Sequence, residues 1–158
     1  MTLRSGRRIT TRVFQSIHEG DRFVVSGVEL SGYYLGRDEE FKSLVRIEVG
    51  KPYNYAQVTE TMKAFTDYFG NFGFAFARVE PMPEVDRQSN RVKLVLKAEP
   101  SRRAYVRRIN ISGNTRTRDE IIRREIRQFE SSWYDGDKIR LSKDRIERLG
   151  YLKEVSID

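Results

Sequence analysis

One histidine, His18, and no cysteine at all limit the chemistry open to this chain. Without a second imidazole or any thiol, neither a nucleophile–base pair nor a thiolate zinc site can be assembled in the usual way. Aspartate and glutamate are plentiful, but no two of them stand out as a catalytic acid and its partner base. His18 precedes Glu19-Gly20 and reads as a turn residue. No enzyme activity, cofactor or metal is therefore expected. What remains is binding chemistry. Arg102, Arg103, Arg107, Arg108, Arg116, Arg118, Arg123 and Arg124 form a series able to meet phosphate, in a chain of formal charge +7. Such an excess suits an anionic partner, nucleic acid or lipid headgroups, although Asp119, Glu120 and Glu125 interleave with the series as on a solvated, ion-paired helix face.

The elements that would position these residues are set by an internal repeat. Val28-Glu-Leu-Ser-Gly32 matches Ile109-Asn-Ile-Ser-Gly113, an offset of 113 − 32 = 81. Arg37-Asp38-Glu39 returns as Arg118-Asp119-Glu120, Tyr53 as Tyr134 and Val58 as Ile139, all at the same offset. Gly73-Phe74 then pairs with Gly150-Tyr151 at 150 − 73 = 77. Four residues are about one helical turn, so a helix can lose them and keep its buried face in phase.

Each repeat predicts the same order. A first strand runs from Phe23 to Leu30 and from Tyr105 to Ile111, ending in a Ser-Gly turn. A short helix follows, from Asp38 to about Arg46 and from Asp119 to about Gln128. It buries Phe41, Leu44 and Val45 in one repeat, and Ile122, Ile126 and Phe129 in the other. Thr117-Arg-Asp-Glu120 has the form of a capping box, and Gly36 holds the corresponding place in repeat one. The second helix carries Val58, Met62, Phe65 and Phe69 as one apolar stripe, with Asn54 as its cap. In repeat two the stripe is Ile139, Ile146 and Leu149, stopped by Gly150 in the left-handed region. Strands Phe74 to Glu80 and Tyr151 to Ile157 come next. Repeat one then turns through Pro81-Met-Pro83 and Arg87-Gln-Ser-Asn90 into a third strand, Val92 to Lys97.

The resulting fold class is α+β, with tandem β-α-α-β-β modules, each a three-stranded mixed sheet carrying two helices on one face. Residues 21–100 form a complete first module, and 101–158 a second that lacks its third strand. Residues 1–20 hold a leader and the last strand of a preceding module, at Thr11 to Ile17. The unpartnered strand Tyr151 to Ile157 is expected to pair with another strand, such as Thr11 to Ile17 of a neighbouring molecule. Met1 to Arg8 lacks the apolar core of a signal peptide, and no apolar run reaches the roughly 20 residues of a membrane-spanning helix. The chain reads as a soluble piece of a longer exported protein.

These residues resemble the POTRA modules of BamA-like outer-membrane protein assembly factors. The resemblance is most specific in repeat two, at Tyr105-Val-Arg-Arg-Ile-Asn-Ile-Ser-Gly-Asn114, at Thr117-Arg-Asp-Glu-Ile-Ile-Arg-Arg-Glu-Ile-Arg-Gln-Phe-Glu130, at Trp133-Tyr134 and at Ser142-Lys-Asp-Arg-Ile-Glu-Arg-Leu-Gly-Tyr151. That repeat is similar to the module next to the barrel. Repeat one, with His18-Glu-Gly-Asp-Arg-Phe23 and Gly70-Asn-Phe-Gly-Phe-Ala75, is similar to the penultimate module. Met1 to Arg8 shows no such likeness.

The resemblance implies a scaffold at the periplasmic face of the outer membrane, close to its inner leaflet. It implies unfolded outer-membrane β-barrel proteins as substrates and a BamD-type accessory lipoprotein as partner. Carried onto matching positions, the lipoprotein contact falls on Glu130 with Arg123 and Arg127. In this topology the second strand is one sheet edge, so Phe74, Ala75, Phe76, Ala77, Arg78, Val79 and Glu80 are the expected site of strand addition. The competing reading is a KH-like tandem nucleic-acid-binding domain, because Gly70-Asn-Phe-Gly73 is a Gly-x-x-Gly. In KH modules that loop joins two helices, whereas here it joins a helix to a strand. No nucleic acid is expected as partner. Trp133 and Tyr134 stand open between core packing and a partner-facing surface, and Tyr33 and Tyr34 between packing of one module against the next and a partner contact.

Overall fold

The structure, a computed structural model, describes residues 22–150. His18 and the strands expected at Thr11 to Ile17 and Tyr151 to Ile157 lie outside the described residues, as does the pairing expected between those strands. The first unit comprises β1 (Val24–Gly32), α1 (Asp38–Ser43), α2 (Tyr55–Gly70), β2 (Arg78–Asp86) and β3 (Arg91–Glu99). The strands are ordered β1-β3-β2, with β3 parallel to β1 and antiparallel to β2. This is the mixed three-stranded sheet of an α+β module.

Alternation along β3 decides which face is covered. Val92, Leu94, Leu96 and Ala98 are buried, while Lys93 and Lys97 turn to the other face and pair with Glu29 and Glu99. Phe41 of α1 and Val58, Phe65 and Phe69 of α2 complete the same core, so both helices lie on that one face. Met62, Leu44 and Val45 pack against its rim. Helix α2 starts where Asn54 accepts a hydrogen bond from the Ala56 N–H at 2.9 Å.

The second unit comprises β4 (Tyr105–Val106), α3 (Asp119–Glu125), β5 (Ser132–Trp133) and α4 (Gly136–Glu147). Its hydrogen bonds repeat those of the first at the 81-residue offset. The Tyr105–Trp133 pair of β4 and β5 corresponds to the bridge between Val24 and Pro52. Thr61 Oγ1 accepts from the Arg46 N–H and donates to Gln57 O, and Ser142 Oγ does the same with Arg127 and Lys138. Asn54 and Asp135 both cap the long helix, and Gly50 and Ser131 both take positive φ, +84° and +57°. The four-residue deletion falls in the long helix, which has 16 residues in α2 and 12 in α4.

Several sequence expectations need correction. Pro81-Met-Pro83 does not form a turn; it lies within β2, where a proline is tolerated if its nitrogen faces away from the ladder. Residues Phe74–Ala77, expected in that strand, instead form a turn that follows Gly73 at φ +94°. The chain uses these residues to pass from the end of α2 to the sheet edge, and the Phe74 ring packs edge-on against Phe69 on the way. The capping box does not form: Arg118 is the N-cap and contributes no side-chain bond. Asn114 Nδ2 donates to both Thr117 O and Asp119 Oδ1, and the Thr117 side chain is buried instead of capping.

The short helices also end sooner than expected, at Ser43 and Glu125, and Phe129 is 64% exposed rather than core. Strand β4 stops at Val106, not Ile111. In the first unit β1 is held along its length by β3, and among the described residues the second unit has no strand equivalent to β3.

Tyr34, left open by the sequence, is buried and donates from its hydroxyl to Leu96 O at 2.7 Å, whereas Tyr33 is exposed. Burial, reinforced by the charge of Asp38, pushes the Tyr34 phenol well above its ordinary value of 10.0. Burial likewise pushes Tyr53 up to about 12. Both are raised in the folded state, so their contribution is intact below the unfolded value of 10.0 and is lost as pH climbs above it. Urea midpoints of the first module should therefore fall steadily above about pH 10. Tyr34→Phe should flatten that fall while lowering stability at neutral pH by about 1 kcal/mol, through the loss of one hydrogen bond.

Candidate partner-binding surfaces

Glu130 and Arg123 come together, and the backbone of Ile109 lies between them. Arg123 occupies the last turn of α3, and Glu130 the loop that leads to Ser131. Glu130 Oε1 accepts the Ile109 N–H at 2.7 Å, and Arg123 Nη2 donates to Ile109 O at 3.2 Å. The two side chains stand 3.7 Å apart and remain nearly half exposed. They satisfy both backbone groups of Ile109 much as a neighbouring strand residue would, at a position where β4 has already ended. Arg127 does not join them. Its guanidinium donates to Arg124 O at 3.2 Å and its N–H to Ser142 Oγ at 2.8 Å.

An aromatic surface beside this pair was only partly legible in the sequence. Tyr105 and Trp133 face each other across β4 and β5 with ring centroids 5.8 Å apart, edge to face, and both are about half exposed. The Arg103 guanidinium lies 4.7 Å over the Trp133 ring. Alternation marked Tyr105 as a strand residue, but only the β4–β5 pairing brings it to Trp133.

Gly70 and Gly73 serve the junction between the units. The Ala104 N–H donates to Gly73 O at 2.7 Å, and Ala104 O accepts from the Tyr134 N–H at 3.0 Å, so one residue is hydrogen-bonded into both units. Arg103 Nε donates to Phe72 O at 3.0 Å. A Cβ on Gly70 would sit 3.4 Å from the Tyr134 ring, and one on Gly73 3.0 Å from Arg103 Nε. The Gly-x-x-Gly loop thus packs against Arg103 and Tyr134 of the second unit.

The sheet has two edges, β1 and β2, and they differ. Asn90 O accepts from the Val24 N–H and Ala98 O from the Tyr33 N–H, so even-numbered residues of β3 direct their backbone groups to β1. Odd-numbered residues of β3 consequently bond to β2. Pro81 and Pro83 sit opposite Leu96 and Leu94, even-numbered positions, and so turn their ring nitrogens outward. The free edge of β2 carries N–H donors at Val79 and Val85 and none at the two positions between. Of the residues expected at this edge, Arg78, Val79 and Glu80 lie in β2 and Phe74, Ala75, Phe76 and Ala77 do not.

Comparison with known proteins adds to this geometry. The family model described as POTRA, surface antigen variable number repeat, matches residues 23–100 and 104–158. Outer membrane protein assembly factor BamA of Neisseria meningitidis serogroup B is 37% identical over 144 residues, which is 90% of this chain and 18% of that protein. BamA of Neorickettsia risticii is 35% identical over 119 residues, 75% of this chain and 16% of that protein. The chain thus spans less than a fifth of the length of these two curated relatives. Among solved structures, Haemophilus influenzae BamA POTRA3-5 superposes with a TM-score of 0.78 at 24% identity, covering 85% of this chain and 53% of that one. Haemophilus ducreyi BamA lacking POTRA domains 1–3 gives 0.71 at 26% identity, covering 86% of this chain and 26% of that one.

Proposed function

Since this chain belongs to the POTRA family, we propose that it is part of the periplasmic scaffold of an outer-membrane β-barrel assembly factor, with modules at residues 21–100 and 101–158. In this reading the first module receives unfolded outer-membrane proteins as extended segments at a sheet edge. The second docks a BamD-type accessory lipoprotein through Glu130 and Arg123, near the inner leaflet of the outer membrane. It acts as a scaffold, with no reaction of its own. The observation that carries the proposal is the mixed sheet with unpaired edges, in a chain similar to BamA over 90% of its length. Pairing through the backbone needs no side-chain code, so one edge serves many client strands. Among the described residues no helix is long and apolar enough to cross a membrane.

The lipoprotein contact can be tested without unfolding the module. Glu130→Gln keeps an acceptor for the Ile109 N–H and removes the charge, whereas Glu130→Lys reverses it. Lipoprotein affinity, measured by titration calorimetry, should fall several-fold in the first and by about tenfold or more in the second, the range for a partner charge pair. Unchanged affinity in Glu130→Lys, with the module still folded by circular dichroism, would remove Glu130 from the docking surface.

A further inference from the structure

We propose that the strand-accepting edge of the first module is the outer edge of β1 from Val28 to Gly32, and that its occupant is an extended polypeptide strand with alternating apolar and polar residues. The inference rests on the reading that this module receives extended segments, and it concerns where they bind. The lower part of the edge already holds such a partner within the chain. Gly50 N–H donates to Val25 O at 2.8 Å, Val25 N–H to Lys51 O at 2.9 Å and Tyr53 N–H to Phe23 O at 2.8 Å. Residues 50–53 thus run antiparallel to the start of β1 through one isolated bridge, with Pro52 opposite Val24.

That coverage ends at the irregularity between Val25 and Gly27. Beyond it, Gly27, Glu29 and Ser31 share the parity of Tyr33, whose N–H bonds to β3, so Val28, Leu30 and Gly32 direct their backbone groups outward. Among the described residues no backbone group pairs with those three. No proline interrupts them, so donors and acceptors alternate without a gap. The opposite edge lacks two donors, at Pro81 and Pro83. An antiparallel or parallel strand laid on β1 keeps its full ladder, and the same strand laid on β2 loses two hydrogen bonds.

The side chains specify the occupant's pattern. Val28 and Leu30 lie on the helix-covered face and are only partly buried. Glu29 and Ser31 lie on the other face and are exposed, with Glu29 paired to Lys93. A strand alternating apolar and polar residues would therefore extend the core beside Val28 and Leu30 while keeping its polar side in water. Strands of membrane β-barrels alternate in this way.

The absence of cysteine makes a direct test available in the full 158-residue chain. Ser31→Cys and Met82→Cys each place one thiol on an exposed position of one edge. The probe is a synthetic ten-residue peptide of alternating valine and threonine with one central cysteine carried as its 2-thiopyridyl disulfide, so that attack by the protein thiolate forms the mixed disulfide and releases pyridine-2-thione. Mixed-disulfide formation should be about tenfold faster with Ser31→Cys, as expected for two extra backbone hydrogen bonds. Adding Pro81→Val and Pro83→Val to Met82→Cys should restore the missing donors and raise its rate several-fold. A rate at Met82→Cys equal to or above that at Ser31→Cys would overturn the edge assignment and leave strand acceptance standing. Rates at both positions no faster than with a scrambled, proline-containing peptide would overturn the assignment together with the proposed function. Preferential disulfide dimers of Ser31→Cys would assign the edge to a second copy of this chain and overturn the client-strand occupant.

Discussion

Replacing Phe41 by alanine is expected to lower the stability of the first module by about 3–5 kcal/mol, a large fraction of the stability of any small domain. Phe41 is completely buried and is the only residue of α1 in the core. Its ring lies within 4.5–5.2 Å, centroid to centroid, of Tyr34, Phe65, Tyr68 and Phe69. Three of these contacts are edge-to-face, so removing the ring sacrifices aromatic geometry as well as buried area. Helix α1 has six residues, too few to persist without that anchor. Truncation therefore removes the attachment of a helix and opens a cavity. Urea unfolding followed by near-ultraviolet circular dichroism should show the loss. Fluorescence of the single tryptophan, Trp133, follows the second unit and should move much less. A Phe41→Ala protein with an unshifted midpoint would contradict the packing described for this core.

The second large effect concerns two glycines that occupy the same place in the repeat. Gly32 and Gly113 both end a Ser-Gly turn and both have positive φ, +91° and +80°. A Cβ on Gly32 would fall 2.3 Å from Ala98 O and 3.0 Å from Ala98 N, backbone atoms of the central strand. Strand β3 cannot move aside without breaking its ladder to β1. A Cβ on Gly113 would meet nothing among the described residues within 4 Å. Gly32→Ala should therefore cost about 3 kcal/mol or more, backbone strain and steric clash together. Gly113→Ala should cost about 1 kcal/mol, the strain alone. Urea midpoints of the two variants, at unchanged slope, separate the two cases.

Much of the fold is legible in windows of ten to twenty residues. Val58, Met62, Phe65 and Phe69 mark the buried face of α2 by spacing alone, and Asn54 caps it as its side chain requires. The 81-residue offset predicted a second unit, and buried hydroxyls at Thr61 and Ser142 repeat the same two hydrogen bonds in both. Errors arose where one residue pattern serves two local structures. Pro81-Met-Pro83 carries the signal of a turn, yet proline is also at home on an edge strand when its nitrogen faces outward. Thr117-Arg-Asp-Glu120 carries the signal of a capping box, but Asn114 binds both Thr117 O and Asp119 and takes the cap's place. Phe129 continues a helical stripe that the helix itself does not reach, because α3 ends at Glu125.

The sequence by itself determined the α+β class, the tandem repeat, the core of the first unit and the helix cap at Asn54. It did so because apolar periodicity and capping depend on residues close together in the chain. Only the tertiary structure decided which partners the remaining backbone groups have. That Pro81 and Pro83 face outward, that Val28 to Gly32 is the edge with a full set of donors, and that Glu130 and Arg123 hold Ile109 all follow from distant segments. Register between β1, β2 and β3 sets the direction of every hydrogen-bonding group, and a shift of one residue would exchange inward for outward. The same register separates Gly32, pressed against Ala98, from Gly113, which an identical Ser-Gly turn leaves open.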